Sequence, residues 1–346
     1  MSLSKIIDSK RHILEYLILA LILILAAVIS CYRIAEPAWD RAHVINYGGA
    51  VDGWHGSLLT EWAGVARNYL KFDYPETGLG QAAYVTQEDP TLFHHRVDYP
   101  PLFPLLVALS FRLFGVHEWS ARLVPLLSSA GLLLLVFWLG RKLGGKRVAL
   151  TASFFFALLP MQVYYSTLTD PQILGSFFSW LTFVFYLQWV EKGETRYYVG
   201  IYASFVLGAL SAWVAYFVVP AILLHYLVCE YKGTRNLKFV LLFALTPLVL
   251  FGIHLGWTYM LGGEQALKGL LDRFLIRTVS GGTVEGQVVF TVWDLYSRGY
   301  VRARLFLTPI ICFLSAVWFI TLVVAILRQR SFFRNLSNRE IFSRRD

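Results

Sequence analysis

The sequence predicts an all-α polytopic membrane protein, a bundle of about eight transmembrane helices, and three observations carry that prediction. Of its 346 residues, 57% are hydrophobic and only 15% charged. With a mean hydropathy of +0.55, charge is too scarce to coat a soluble domain of this length. Apolar runs recur at close to the ~20 residues that a helix needs to cross a bilayer. The Lys and Arg residues, behind a formal net charge of +9, fall in short clusters beside those runs rather than along one stripe. That pattern belongs to cytoplasmic loops and argues against a nucleic-acid partner.

The first run, Ile13 to Cys31, follows Lys5, Lys10 and Arg11 but is too long for a secretory signal core, so it reads as a retained anchor. Further spans are expected at 120–139, 148–165, 172–190, 198–212, 215–229, 238–258 and 305–327. Of these, 198–212 and 215–229 are short and meet at "SAWVAY", whose small and aromatic residues suit a tight turn at an interface. The segment 100–115, "PPLFPLLVALSFRLFG", carries Arg112 in a short apolar stretch and reads as an interfacial helix. With that helix kept out of the bilayer, "SKIIDSKRH", "GRKLGGKR", "EKGETR", "EYKGTRNLK" and the basic tail 328–346 all fall on one side, the cytoplasm. The opposite side then receives a large first outer loop, 32–119, and a second, 261–304, within a single module 1–346. Cys31, Cys229 and Cys312 lie in or at the ends of apolar runs, so no disulfide framework braces those loops.

Residues able to do chemistry concentrate in the outer segments. In "TLTDPQIL", Asp170 precedes Pro171, the arrangement of an N-cap before a proline at the first helical position. A carboxylate fixed at a helix N-terminus is also oriented and favoured in its ionised form, so capping and catalysis are compatible. In "TEWAGVARNYL", a helix would set Glu61, Val65 and Asn68 on one face. The stretch "FHHRVDYPPL" adds His94, His95 and Asp98 ahead of a double proline that forces an extended entry into the next helix. Adjacent histidines in a strand point to opposite faces, which works against a shared metal. No cofactor is called for with certainty, and a divalent metal is left open. The motif G-x-x-x-x-G-K within "GRKLGGKR" is followed by Arg147 instead of Ser or Thr and lies between two spans, so it reads as a basic loop. The segment 261–304 is rich in arginine, and Arg277 and Arg298 flank Gly281-Gly282, where the backbone could approach an anion.

The order of these features resembles the GT-C membrane glycosyltransferases, in particular the branch of protein O-mannosyltransferases and lipid A aminoarabinose transferases. An acid before "ARNYL" is followed by "YPPLFPLLVALSFRLFG", "HEWSAR", a further span and "TLTDPQIL", and the pattern runs over roughly residues 10–230. The resemblance implies transfer of a sugar from a polyprenyl-phosphate donor to a lipid, glycan or protein acceptor on the outer face of the cell membrane. It sets Glu61, where the family usually has Asp, and Asp170 as catalytic acids, Asp98 at the acidic position before the double proline, and Arg67 beside Glu61 in a substrate-binding place. Arginines of the later outer loop bind carrier phosphate in such enzymes, and Arg277 and Arg298 are the candidates here. A sugar phosphate already carries a good leaving group, so one carboxylate base and cations at the departing phosphate suffice. The competing readings are a transporter, for which His254 is the best residue, and a catalytically inactive GT-C-like binding protein.

Overall fold

A segment inside a bilayer must satisfy its own backbone N–H and C=O groups, and this chain does so as helix. The computed structural model describes residues 3–32, 34, 35, 54–73, 76, 77, 80–85, 93–229, 237–278, 283, 284, 287, 288 and 292–328. In chain order they form α1 (Leu3–Cys31), α2 (Trp54–Phe72), β1 (Ala82–Val85), β2 (Phe93–His95), α3 (Leu102–Phe114), α4 (Glu118–Ala121), α5 (Leu123–Leu158), α6 (Pro160–Thr167), α7 (Pro171–Lys192) and α8 (Thr195–Ala209). A 3-10 turn (Trp213–Phe217) leads to α9 (Val218–Cys229), α10 (Leu237–Thr278), β3 (Thr283–Val284), β4 (Gln287–Val288) and α11 (Val292–Arg328). The strands form two small antiparallel pairs, β1 with β2 and β3 with β4.

The all-α polytopic class is as expected and each expected run occurs as helix, although length and composition alone single out fewer than eight separate helices. Among the described residues four helices qualify: Ile13–Cys31, Leu123–Leu158, Pro171–Lys192 and Leu237–Asp272. One reason is that α5 holds two of the expected runs. Gly145 has φ 74 and ψ −171, and a Cβ built on Gly140 would lie 2.9 Å from the Ala149 Cα. Residues nine apart along an unbroken helix would be separated by about 13 Å. The chain therefore doubles back at Gly145, and "GRKLGGKR" is the turn of a helical hairpin. The other reason is shortness: α8 and the apolar stretch Trp213–Val228 fall below a full span, and α11 is broken at Thr308 (φ 61), ahead of Pro309.

Polar contacts separate the two ends of the bundle. At the hairpin turn, buried Glu15 of α1 pairs with Arg141 at 3.1 Å and Lys146 at 3.6 Å, and Lys142 pairs with Glu191 at the C-terminal end of α7. At the other end the Ser166 hydroxyl donates to the Ser30 hydroxyl (2.9 Å), and Arg122 Nη1 donates to the Ile34 carbonyl (2.6 Å). The 22 residues of α7 span about 33 Å, so Asp170 and "GRKLGGKR" lie at opposite ends. Near the Asp170 end, Phe103, Val107 and Phe111 of α3 pack on Trp62, Val65, Ala66 and Tyr69 of α2. The same helix leaves Leu109, Leu113 and Phe114 exposed, as an apolar helix without a second protein neighbour does.

The hairpin makes a test. Gly140→Leu drives a side chain into the backbone of the facing arm and should destabilise the protein by about 1–3 kcal/mol. Gly64→Ala, in α2 with no heavy atom within 4 Å of the added Cβ, should be neutral or stabilise by up to about 1 kcal/mol. Thermal unfolding of the two variants in one detergent ranks them; an equal response would show that the arms are not in contact.

Candidate active site

The site is built on the extended segment that leaves β2. Asn68 of α2 donates from its amide to the Ala82 carbonyl at 2.8 Å, which holds β1 against the helix. The backbone N–H of Arg96 donates to the Gln81 carbonyl (2.8 Å), and the Gln81 side chain donates to the Tyr99 carbonyl (2.5 Å). Residues 96–99 are thereby laid alongside α2, and prolines 100 and 101 keep the stretch from coiling. Side chains two apart on extended backbone share a face, so Arg96 and Asp98 project together. The opposite bundle grips the same backbone: Trp213 Nε1 donates to the Asp98 carbonyl (2.6 Å) and His254 Nε2 donates to the Val97 carbonyl (2.9 Å). A carbonyl only accepts, so His254 carries its proton on Nε2.

Arg96 is the centre of the arrangement. Its Nε lies 3.0 Å from Asp98 Oδ1 and its Nη2 donates to Asp98 Oδ2 at 3.3 Å, while Nη1 pairs with the Glu61 carboxylate. The guanidinium carbon stands 4.5 Å from the centroid of the Trp62 ring, a cation–π contact. The side chains are exposed to very different degrees: 6% for Asp98, 11% for Arg96 and 37% for Glu61.

Asp170 is brought to the same region by α7. It caps that helix as expected, its Oδ1 accepting the Gln172 backbone N–H at 2.7 Å. The Gln172 side chain donates to the Tyr99 hydroxyl at 2.8 Å, tying the cap to the Arg96 segment. The Asp170 carboxyl is buried, and burial pushes its pKa from an ordinary 3.8 up to about 6. The Gln172 hydrogen bond and the charge of Arg96 pull it the other way, with less effect. One guanidinium therefore acts on three carboxylates drawn from α2, the post-β2 segment and the start of α7.

Not every expected residue converges here. Arg67 is exposed, and six residues beyond Glu61 it is rotated by about 240° around α2, away from the cluster. Arg277 and Arg298 lie in α10 and α11, but their side chains, together with Gly281, Gly282 and the His94 side chain, lie outside the described residues. His95 Nε2 is engaged with the Thr77 carbonyl at 2.8 Å. Among the described residues no group of three or more His, Cys, Asp or Glu is placed to hold a metal ion. Sequence reasoning passed over Arg96, although "RVDYPP" held the signal: an Arg and an Asp two apart on backbone that the prolines keep extended. Trp213 and His254 gave no such signal, since both meet the segment only through tertiary packing.

Residues 98–257 match the model of the dolichyl-phosphate-mannose-protein mannosyltransferase family. A Bacillus subtilis (strain 168) protein named "Putative mannosyltransferase YkcB" is 30% identical over 175 residues, which make up 50% of this chain and 24% of that protein. The chain resembles a GT-C-like membrane glycosyltransferase. It spans about a quarter of the length of that relative. No solved structure matches it. The family match takes in Asp98 and Asp170 of this membrane glycosyltransferase-like chain and begins two residues after Arg96, so Glu61 and Arg96 lie outside it.

The unequal exposure of the two Arg96 partners makes a test. Asp98→Asn breaks a buried pair and should cost about 3–5 kcal/mol. Glu61→Gln removes a half-exposed partner and should cost about 1 kcal/mol or less. Thermal melts of the two variants should separate clearly, with Asp98→Asn melting first.

Proposed function

We propose that this chain transfers a sugar from a polyprenyl-phosphate-linked donor to an acceptor hydroxyl on the outer face of the cell membrane. The observation that carries this reading is the convergence of Glu61, Asp98 and Asp170 around Arg96 at one end of the bundle. The description of the matching family, which names a dolichyl-phosphate-linked mannose, supports mannose as the sugar and a polyprenyl phosphate as its carrier. A lipid-borne donor also accounts for a site mounted on membrane helices, because the carrier's tail stays in the bilayer.

In this reading the acceptor oxygen attacks the anomeric carbon, the bond from that carbon to the phosphate oxygen breaks, and the phosphate leaves with the electron pair. The hydroxyl proton passes to a carboxylate. Asp170 suits that role, because a base with a pKa near the working pH combines availability with proton affinity. Glu61, paired with Arg96, is the second acid and acts at the acceptor. Arg277 and Arg298 remain the proposed clamp on the carrier phosphate, for which guanidinium groups match phosphate oxygens in pairs. A single displacement inverts the anomeric centre.

Two outcomes test the reading. Asp170→Asn keeps an N-capping side chain but loses the base. Because the folded pKa of Asp170 is raised, the folded state binds this proton more tightly than the unfolded chain, and the group's contribution to stability declines as pH rises from about 4 to about 6. The Asn variant should then melt at least as high as the wild type at pH 7.5 while losing 100-fold or more of label transfer from polyprenyl-phosphate mannose, on the order expected for a lost general base. Wild-type transfer should fall off below about pH 6, where the base becomes protonated. Loss of stability in step with activity would reduce Asp170 to a cap. The second test is topology: in intact cells and a cysteine-free background, a membrane-impermeant thiol reagent should modify Arg67→Cys and spare Gly144→Cys, and the opposite labelling would invert the proposed orientation.

A further inference from the structure

Glu61 presents a chemical conflict. The Glu61 carboxylate is occupied by a guanidinium and so is not free to meet an acceptor hydroxyl, yet Glu61 is the acid proposed to act at the acceptor. The geometry around Arg96 supplies a way out. Asp98 occupies the Nε and Nη2 side of the guanidinium, at 3.0 and 3.3 Å, and Trp62 covers one face at 4.5 Å. Both of these partners are buried, and the backbone beside them is clamped by Trp213 and His254. The remaining Nη1 edge is held by Glu61, whose side chain is 37% exposed. Arg96 thus has one enclosed partner and one that solvent can reach. A phosphate presents paired acceptor oxygens much as a carboxylate does, and carries at least as much charge.

We propose that the Nη1 edge of Arg96 is an anion site at which the phosphate of a lipid-linked phosphoester displaces Glu61, so that arrival of the donor frees the Glu61 carboxylate. The proposal deepens the transferase reading and rests on it for the identity of the ligand. Electrostatics favour exchange over simple addition. Three carboxylates, Glu61 of α2, Asp98 and Asp170, already face a single guanidinium, with His254 of α10 behind the segment, so a further anion must replace a carboxylate rather than join it. Asp98 keeps the guanidinium oriented while its outer partner changes. Arg96 would then take part in holding the phosphate.

Binding of a sugar-free polyprenyl phosphate to the purified full chain in detergent tests this by titration calorimetry. Glu61→Gln should bind about threefold or more tightly than wild type, because the competing anion is gone. Arg96→Gln should bind about tenfold more weakly, Arg96→Lys should recover little for want of paired donors, and Glu61→Gln should add nothing in the Arg96→Gln background. Arg96→Gln also strips buried Asp98 of a partner, so the deciding variant is Glu61→Gln, whose expected change is a gain that misfolding does not produce. Unchanged or weaker binding by Glu61→Gln overturns the proposal. The same ranking with inorganic phosphate supports recognition of the phosphate group itself, and a ranking seen only with the polyprenyl phosphate supports a site that also needs the lipid. A ranking that appears with phosphatidylglycerol but with neither phosphate overturns the site in favour of general headgroup contact. Sugar transfer forms no part of the readout: the predicted ranking without transfer would sink the transferase reading and leave the anion site standing, and transfer without the ranking would do the reverse.

Discussion

The ion pair between Arg96 and Asp98 is the constraint on which the rest of the polar end depends. A guanidinium this enclosed is tolerated only with acceptors at its donors, because an unpaired buried charge is costly. Asp98 supplies them two residues away, which requires the segment between them to stay extended. The Gln81 and Tyr99 hydrogen bonds and the double proline enforce that extension. Once the segment is extended, its outward carbonyls need donors, and these come from Trp213 and His254 on the far side of the bundle. A single buried charge pair thus determines how α2, the 3-10 turn and α10 meet.

The hydrophobic packing and the polar cluster are mutually dependent. Trp62 belongs to the apolar contact between α2 and α3 and also lies against the Arg96 guanidinium, so the same side chain closes the core and covers the cation. Gln172 does similar double service at the start of α7: its backbone N–H orients Asp170 and its side chain holds Tyr99. The Asp170 carboxyl is therefore buried between two elements that are already cross-linked, and its raised pKa follows from that enclosure. The similarity to the mannosyltransferase family covers residues 98–257, which take in α3 to α9, part of α10 and two of the acids. The preceding segment adds the cation and the exposed third acid, Glu61.

Much of the architecture was legible in one dimension because it is governed by local physics. Composition and run length announced helices in a membrane, and the pairing of Asp with Pro at 170–171 announced a capped helix start. The spacing of Glu61, Val65 and Asn68 identified a face of α2 that the structure uses, with Asn68 anchoring β1. The division of the apolar runs was legible as well, since each expected run occurs as helix. The basic stretch "GRKLGGKR" read as the loop between two runs, and Gly145 reverses the chain there; what the apolar pattern did not show is how closely the two arms meet at Gly140 and Ala149.

The sequence by itself determined the class of protein, the clustering of its positive charges and the helix cap at Asp170, because these depend on composition, periodicity and neighbours a few residues apart, while Glu61, Asp98 and Asp170 were marked as candidate acids by the resemblance to a known family. Only the tertiary structure decided that the acids share one guanidinium, that Arg67 turns away from them, and that Glu61 is held by an exposed contact while Asp98 is held by an enclosed one. The physical reason is range. Helix phase and capping act over one or two turns, whereas the Arg96–Glu61 ion pair and the burial of Asp170 within reach of the Arg96 charge join distant stretches of chain, and the strength of each is set by how much solvent the folded bundle leaves beside it.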